Sequence, residues 1–477
     1  MIGRRALLAA PALLAAPAAR AQMLAIRQDD QVAPGWRREV LIRWGDRVTF
    51  DAPAWTPAQP SEVAASAQFG WDARMLALLP APPATDGVPR RILAVGHPTV
   101  DAAIAFPGGR DRPDVAGAMQ GVSLLNLEKR GERWSVVDGG YQNRRLTART
   151  LCRMGADGGP VLGVAGITGG CATPWGSLLL AEGEAAAWRA RLPVFESGTS
   201  GLVVEVDVLD PVSVPVKRPA LGRFAPVDAA AGLAADGRAV VWLTDGRAGG
   251  FLYRFVSDGG AGDGALEAGR MAAARIEGDS LRWLPLPEGD PMAGARNAGA
   301  TGFDRPMGLA WDAPRQRLCV AENGGAGRVI ELRMAAGDAA AETGVAMTLM
   351  EGRAAPPVRA GRGDAPRQMP AWPWAPAALA FDGAGALLLG TDRGRRAGVL
   401  PEALYRIAPE DGAPALLYAA PVGAAIGGAA VAEDGAILAA VAHPGATPGA
   451  GWDNPATRWP NLRPDEPPRS TIVTLAR

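Results

Sequence analysis

The sequence predicts an all-β protein, a β-propeller of six blades carrying short inserted helices and long loops. Three observations lead there. Helical periodicity is scarce: apolar runs of about six residues are punctuated by Asp-Gly and Gly-rich turns, the pattern of many antiparallel strands. Repetition is the second observation. Stretches 232–255, 308–334, 378–394 and 429–445 each give an apolar strand, a turn and a second apolar strand ending in a polar residue, then a Gly-rich connection and an outer strand. Sheets that bury their faces against neighbouring copies have this grammar. The third is length: at irregular spacings of about 50–75 residues, six such units use the available chain. A pair of stacked sheets is the alternative, and the recurrent polar ending of the second strand argues against it. Helices are expected at 182–191, where EGEAAAWRAR is rich in Ala and Glu, and around 62–79. The Ala/Gly/Arg-rich segment 335–370 reads as a long loop.

Residues 1–21 are expected to be a signal peptide. Arg4 and Arg5 make a basic start, a short Ala/Leu run follows, and Ala19-Arg20-Ala21 has the small-x-small form of a cleavage site. The paired arginines suggest twin-arginine export, an ordinary secretory signal being the plainer reading. Residues 22–477 then form one propeller domain, periplasmic or secreted. No later stretch holds the ~20 uninterrupted apolar residues of a membrane span. Formal charge is balanced at 49 basic and 49 acidic residues. That balance offers no basic stripe for nucleic acid, which leaves a small-molecule ligand and a monomeric protein as the expectation.

Cys152, Cys171 and Cys319 are odd in number and far apart, which excludes a zinc ribbon or a CxxC motif. Cys319, inside LCVAEN, reads as a small buried hydrophobe. Cys171 stands beside the rigid Pro174-Trp175-Gly176 turn and is either a metal ligand or the relic of one. Asp245, Asn323, Asp392 and His443 occupy equivalent places after apolar strands, and His97 does so in ILAVGHPTVD. In a radial array equivalent strand ends converge on one mouth of the channel, so this set is expected to gather at one site. Polar residues also end strands simply to cap turns. His97 and His443 are the sole histidines, and each precedes a proline, which suits a fixed turn as well as a general base.

These residues resemble, in order along most of the chain, the PhoX family of secreted alkaline phosphatases. The resemblance is carried by LIRWGD (41–46), FGWD (69–72), Gly96-His97, NRRLT (143–147), CATPWGSLLLAEG (171–183) and GLVVEVDVLDPVSVPVKRPALGRF (201–224). FLYRF (251–255), ATGFDRP (300–306) and VAHPG (441–445) complete it. It implies a six-bladed propeller holding iron and calcium at the channel mouth through a cysteine and several acids. Clustered cations suit a phosphomonoester dianion, because they bind its oxygens and share the charge of the leaving group. On that reading Cys171 and Glu182 are metal ligands, and Asp245, Asn323 and Asp392 bind cations or position water. Arg223 and Arg305, with His97 and His443, hold the substrate.

The departures are as telling. Where the family reads Asn-His-Glu the chain has Gly96-His97-Pro98, and a tandem Glu pair is reduced to Glu182-Gly183. Ala225-Pro226-Val227 replaces a His-Glu, Met307 an acid after Asp304-Arg305-Pro306, and Pro376-Ala377-Ala378 a Pro-Asp-Asn. Ala425 stands for a further Glu, and the spacer after Cys171 shrinks to Ala172. Each lost acid removes an oxygen ligand that calcium or ferric iron would use. The expectation is therefore no metal or a reduced set, such as one calcium, with phosphatase activity lost or altered. Two alternatives stand beside it. One is a non-catalytic propeller binding a ligand such as a phosphate ester, with Trp175, Trp452 and Trp459 as aromatic surfaces. The other is a calcium-dependent lactonase or esterase using Glu322, Asn323 and Asp392.

Overall fold

The computed structural model describes residues 23–82, 85–155, 157–353, 368–370, 372–394, 401–409 and 412–477. The expected signal peptide, 1–21, lies outside them. The chain is mostly β, in sheets that each start from a short inner strand. These inner strands are β1 (Arg74–Pro80), β2 (Gly169–Ala172), β3 (Asp228–Leu233), β4 (Pro306–Asp312), β5 (Pro376–Phe381) and β6 (Ala425–Val431). Each packs against the next, and β6 returns to β1, so the six form a closed cycle.

Behind each inner strand, antiparallel neighbours step outward. β1 is followed by Arg90–His97, Gly121–Arg130 and Arg133–Val136; β2 by Leu178–Ala181, Val203–Val206 and Val216–Lys217. The groups on β3 and β4 are fused into one nine-stranded sheet, because Thr343–Glu351 pairs with Arg328–Met334 on one edge and Ser280–Pro285 on the other. The segment expected as a loop at 335–370 thus contains a strand, and residues 354–367 lie outside the described residues. In the last group the outer strand comes from the start of the chain: Arg37–Arg43 pairs with Thr471–Ala476. Chain ends are thereby tied together by main-chain hydrogen bonds.

Successive side chains on a strand face opposite ways, and the second strands use this to fill two cores at once. Leu178 packs toward the β1 group and Leu179 toward the β3 group. Val241 and Trp242, Leu318 and Cys319, Leu389 and Leu388 divide in the same manner. Leu438 and Leu93 belong to the core that joins the β6 group to the β1 group. Cys319 is fully buried in this packing, as its apolar run suggests. A further cluster, holding Val100, Phe106, Met119 and Trp188, packs the short helices together over one end. Of the two expected helices, Ala185–Arg191 forms within its predicted span. The other is cut to Glu62–Ala67, capped by the Ser61 hydroxyl, because the alternating run that follows becomes β1.

Inner strands crowd around the axis, so they are built from small residues. A Cβ on Gly308 would lie 2.6 Å from the Ala377 carbonyl oxygen, and one on Gly427 would lie 2.0 Å from that of Ala73. Both contacts are with neighbouring backbone, which cannot swing aside. Gly427→Val is therefore expected to destabilise the protein by about 3 kcal/mol or more, read as a lower midpoint in chemical denaturation or as loss of soluble protein.

Candidate functional site

The cycle of inner strands encloses an axial cavity of about 370 Å³, to which all six contribute. Its wall is mainly backbone and small apolar side chains, so its few polar residues stand out. Besides Thr99 and Thr168, they are Arg74, Cys171, Glu184, Asp228, Arg305, Asn323 and Asp392.

Arg74 and Asp392 dominate its electrostatics. An Arg74 Nη donates to Asp392 at 2.7 Å, both side chains being mostly buried, and the Gly394 amide donates to the other oxygen of Asp392 at 2.7 Å. Burial alone would raise the Asp392 pKa, but the Arg74 and His443 charges outweigh it and hold the carboxyl at about 2. Asn323 fixes the same loop: its amide nitrogen donates to the carbonyls of Ala375 and Asp392, both at 2.9 Å.

Asp228, at the start of β3, fastens three inner strands. Its carboxylate accepts from the Gly170 amide on β2 and its neighbour Ala229 at 2.9 Å, and from Leu309 on β4 at 2.8 Å. Burial raises its pKa to about 7, the three amides pulling the other way. Cys171 borders the cavity on β2. Burial and the nearby Asp228 push its thiol pKa far up, which keeps the sulfur protonated.

The remaining predicted residues lie apart from this cavity. Glu182 is fully buried one strand back, where it accepts from Lys217 at 2.8 Å and from the amides of Ala165 and Leu202. His97 is enclosed in packing: its Nδ1–H donates to the Asp72 carbonyl, and its Nε2 faces Ser123 Oγ, each at 2.8 Å. Arg145 donates to the same hydroxyl, so Ser123 in turn gives its proton to Nε2. Burial, with Arg145, drives the His97 pKa well down and leaves the ring neutral. His443 is also buried, donating from Nδ1 to the Gly423 carbonyl and stacking on Trp71. Asp245 is held by Arg247 and faces a more open groove beside the cavity, which also receives Arg223 and Arg305. Glu322 is taken by Arg328 and the Asp304 amide and lies off the cavity wall. Trp459 is buried, Trp175 bonds to Glu205, and Trp452 packs on the short helices.

Asn323, Asp392, Cys171 and Arg305 are thus brought together, while Glu182, His97 and His443 are not. The reading by second-strand endings missed Arg74, Asp228 and Glu184. Side chains on an axial channel come from the inner strands, and the second strands sit one layer back. Asp228 directly follows Val227, and Glu184 stands two residues beyond Glu182, so a search one or two positions wider would have found both.

An iron–calcium cluster of the kind the resemblance implies does not fit these donors. Asp392 is neutralised by Arg74, and both Asp228 oxygens accept backbone amides. Among the described residues no three His, Cys, Asp or Glu stand close enough to share an ion.

The sequence profile of the alkaline phosphatase PhoX family matches residues 20–445. The chain belongs to the PhoX family. Its fold is similar to that of Pseudomonas fluorescens PhoX in complex with vanadate, a transition state analogue, with a TM-score of 0.82 at 22% identity. The match covers 96% of this chain and 97% of that one. A Dyadobacter fermentans protein of unknown function matches more distantly, at a TM-score of 0.44 and 10% identity over 93% and 99% of the two chains. A Xanthomonas campestris gluconolactonase gives 0.32 and 13% over 84% and 97%. No curated protein matches by sequence. Among the described residues no helix is long and apolar enough to cross a membrane.

Two outcomes follow from the buried charges. Glu182→Gln leaves Lys217 without a counter-charge and is expected to cost about 3–5 kcal/mol, while Glu182→Gln with Lys217→Met removes the stranded charge, keeps one acceptor for the Ala165 and Leu202 amides and recovers part of it; denaturant midpoints compare the three. Asp228 has a folded-state pKa near 7 against an ordinary 3.8. The folded protein therefore binds that proton more tightly, and this contribution is full below pH 4 and lost as pH rises to about 7. The slope is at most about 1.4 kcal/mol per pH unit. Asp228→Asn is expected to flatten that part of a plot of unfolding temperature against pH, though it also loses the acceptor for Leu309. An unchanged slope would place the titration elsewhere.

Proposed function

We propose that this chain is an exported, six-bladed propeller of the PhoX family whose axial cavity binds the anionic group of a small phosphate ester. The iron- and calcium-dependent hydrolysis that its ancestry implies is lost or altered. The observation that carries this reading is the Arg74–Asp392 pair, which puts a guanidinium inside the cavity beside a carboxyl held at about 2. A fixed cation of this kind serves an oxyanion by hydrogen bonding and charge, through a planar fork suited to phosphate. Arg74 spends one Nη on Asp392 and makes no other side-chain hydrogen bond among the described residues. Arg305, at the cavity rim, is exposed and has no side-chain partner among them. Asn323 acts as a positioning residue, since it holds the loop that carries Asp392.

The six-bladed reading draws support from the closed cycle of inner strands and from the cores between successive sheets. In that arrangement the cavity is the mouth of the channel. Export and a periplasmic or secreted, monomeric protein remain part of the proposal through the character of residues 1–21.

Purified from its own export route, the protein is expected to bind inorganic phosphate or vanadate by calorimetry. Arg74→Gln should weaken that binding about tenfold or more. Turnover of p-nitrophenyl phosphate is expected to stay at background when iron and calcium are supplied. Stoichiometric iron and calcium by elemental analysis, together with turnover, would restore the family's metal chemistry to this chain and sink the proposal.

A further inference from the structure

A second groove, of about 940 Å³, opens beside the axial cavity and shares Glu184, Val227, Arg305 and Met307 with it. Four arginines reach it: Arg189, Arg223, Arg247 and Arg305. Among the described residues, Arg247 forms an ion pair, with both oxygens of Asp245 at 2.6 Å, and the other three show none. Arg189 bonds to Ser200 Oγ at 3.2 Å and Arg223 to the Ser197 carbonyl at 2.7 Å. Those partners orient a guanidinium without cancelling its charge. Against these three stand Glu184 and Asp290, and an oxygen of Asp290 caps the helix Pro291–Ala298 through Met292.

The groove is also a place of held backbone. Ala225 and Arg305, both on its wall, are non-glycine residues in the left-handed region, at φ of 58° and 59°. The Ala225 amide is fixed to the Gly201 carbonyl at 3.1 Å, and that of Arg305 to the Phe303 carbonyl at 3.1 Å. Such conformations cost of order 1–3 kcal/mol each and persist where the surroundings impose them. Here they set the rim that the groove and the cavity share.

We infer that this groove is a second anion site, so that the ligand is a small molecule with one anionic group in the axial cavity and another phosphoryl or carboxylate group among Arg189, Arg223 and Arg305. Arg305 stands between the two sites and serves both. The inference rests on the phosphate reading of the cavity for its first anionic group, but the groove is tested on its own.

The test uses calorimetry at about 0.15 M salt with two probes, inorganic phosphate and inositol hexakisphosphate, which carries many phosphates on one small ring. Unmodified protein is expected to bind the hexakisphosphate at least tenfold more tightly than phosphate. Arg189→Ala with Arg223→Ala should remove about tenfold of that affinity, while the phosphate event that Arg74→Gln weakens persists. A control pair on outer strands, Arg133→Ala with Arg275→Ala, should change neither probe. Thermal unfolding checks that each variant is folded, and Arg223→Glu, a single exposed change, replaces the double variant if that one is not. An equal loss in the control pair, or an undiminished hexakisphosphate affinity in the groove variants, overturns the inference. If phosphate alone fails to bind but the hexakisphosphate still depends on Arg189 and Arg223, the cavity reading falls and the groove stands.

Discussion

Six strands meeting around one axis leave room for very few side chains, and this crowding governs the rest of the molecule. Gly308 and Gly427 lie so near the next strand's carbonyl that a single carbon would collide. Wherever a larger residue does face the axis, it must be accommodated by its neighbours. Asp228 shows how: its carboxylate takes amides from β2, β3 and β4 and so converts three inner-strand contacts into one hydrogen-bonded junction. Leaving those buried amides without an acceptor would cost about 1–3 kcal/mol apiece, so the position is structural before it is anything else.

The same scarcity makes the cavity's charge easy to account for. Arg74 and Asp392 lie at 2.7 Å and screen one another. At the effective dielectric constant of about 20 that suits such sites, two unit charges about 4 Å apart attract by about 4 kcal/mol. A divalent or trivalent cation entering beside Asp392 would have to displace Arg74 or endure its repulsion. Burial and the nearby Asp228 raise the Cys171 thiol pKa, so the thiol adds no negative charge of its own to the cavity. An anion would meet the unspent donors of Arg74 and the exposed Arg305 at the rim, with Glu184 and Asp72 also acting on Arg74.

The fold was legible in the sequence to a good depth. Repeated strand pairs around 232–255, 308–334, 378–394 and 429–445 are the strands on and behind β3 to β6, because burial between sheets imposes an apolar alternation that composition cannot hide. Thr343–Glu351 was not legible, since its apolar residues, Val345, Ala346, Met347, Leu349 and Met350, run together instead of alternating with polar ones, and two of them are exposed. The site was read less well. Asn323 and Asp392 were found, but the rule that found them also selected His97 and His443, which are buried by packing. Polar strand ends serve caps and junctions as readily as ligands, and only the third dimension separates the two.

Arginine carries nearly all the positive charge of this chain, with lysine at 129 and 217 alone, and Lys217 and the cavity arginines are used differently. Lys217 is fully buried against Glu182, a compact point charge that donates to a carboxylate and to the Thr199 carbonyl. Arg74, Arg189, Arg223 and Arg305 lie instead on walls of cavity or groove, with donors in a plane and partners that are often carbonyls or hydroxyls. A guanidinium so placed stays charged at every physiological pH and requires no cofactor to remain so. Fixed arginine forks can do part of what bound cations do for an oxyanion, holding and orienting it. They cannot generate a metal-activated nucleophile, so holding and orienting is the part they can share with a metal.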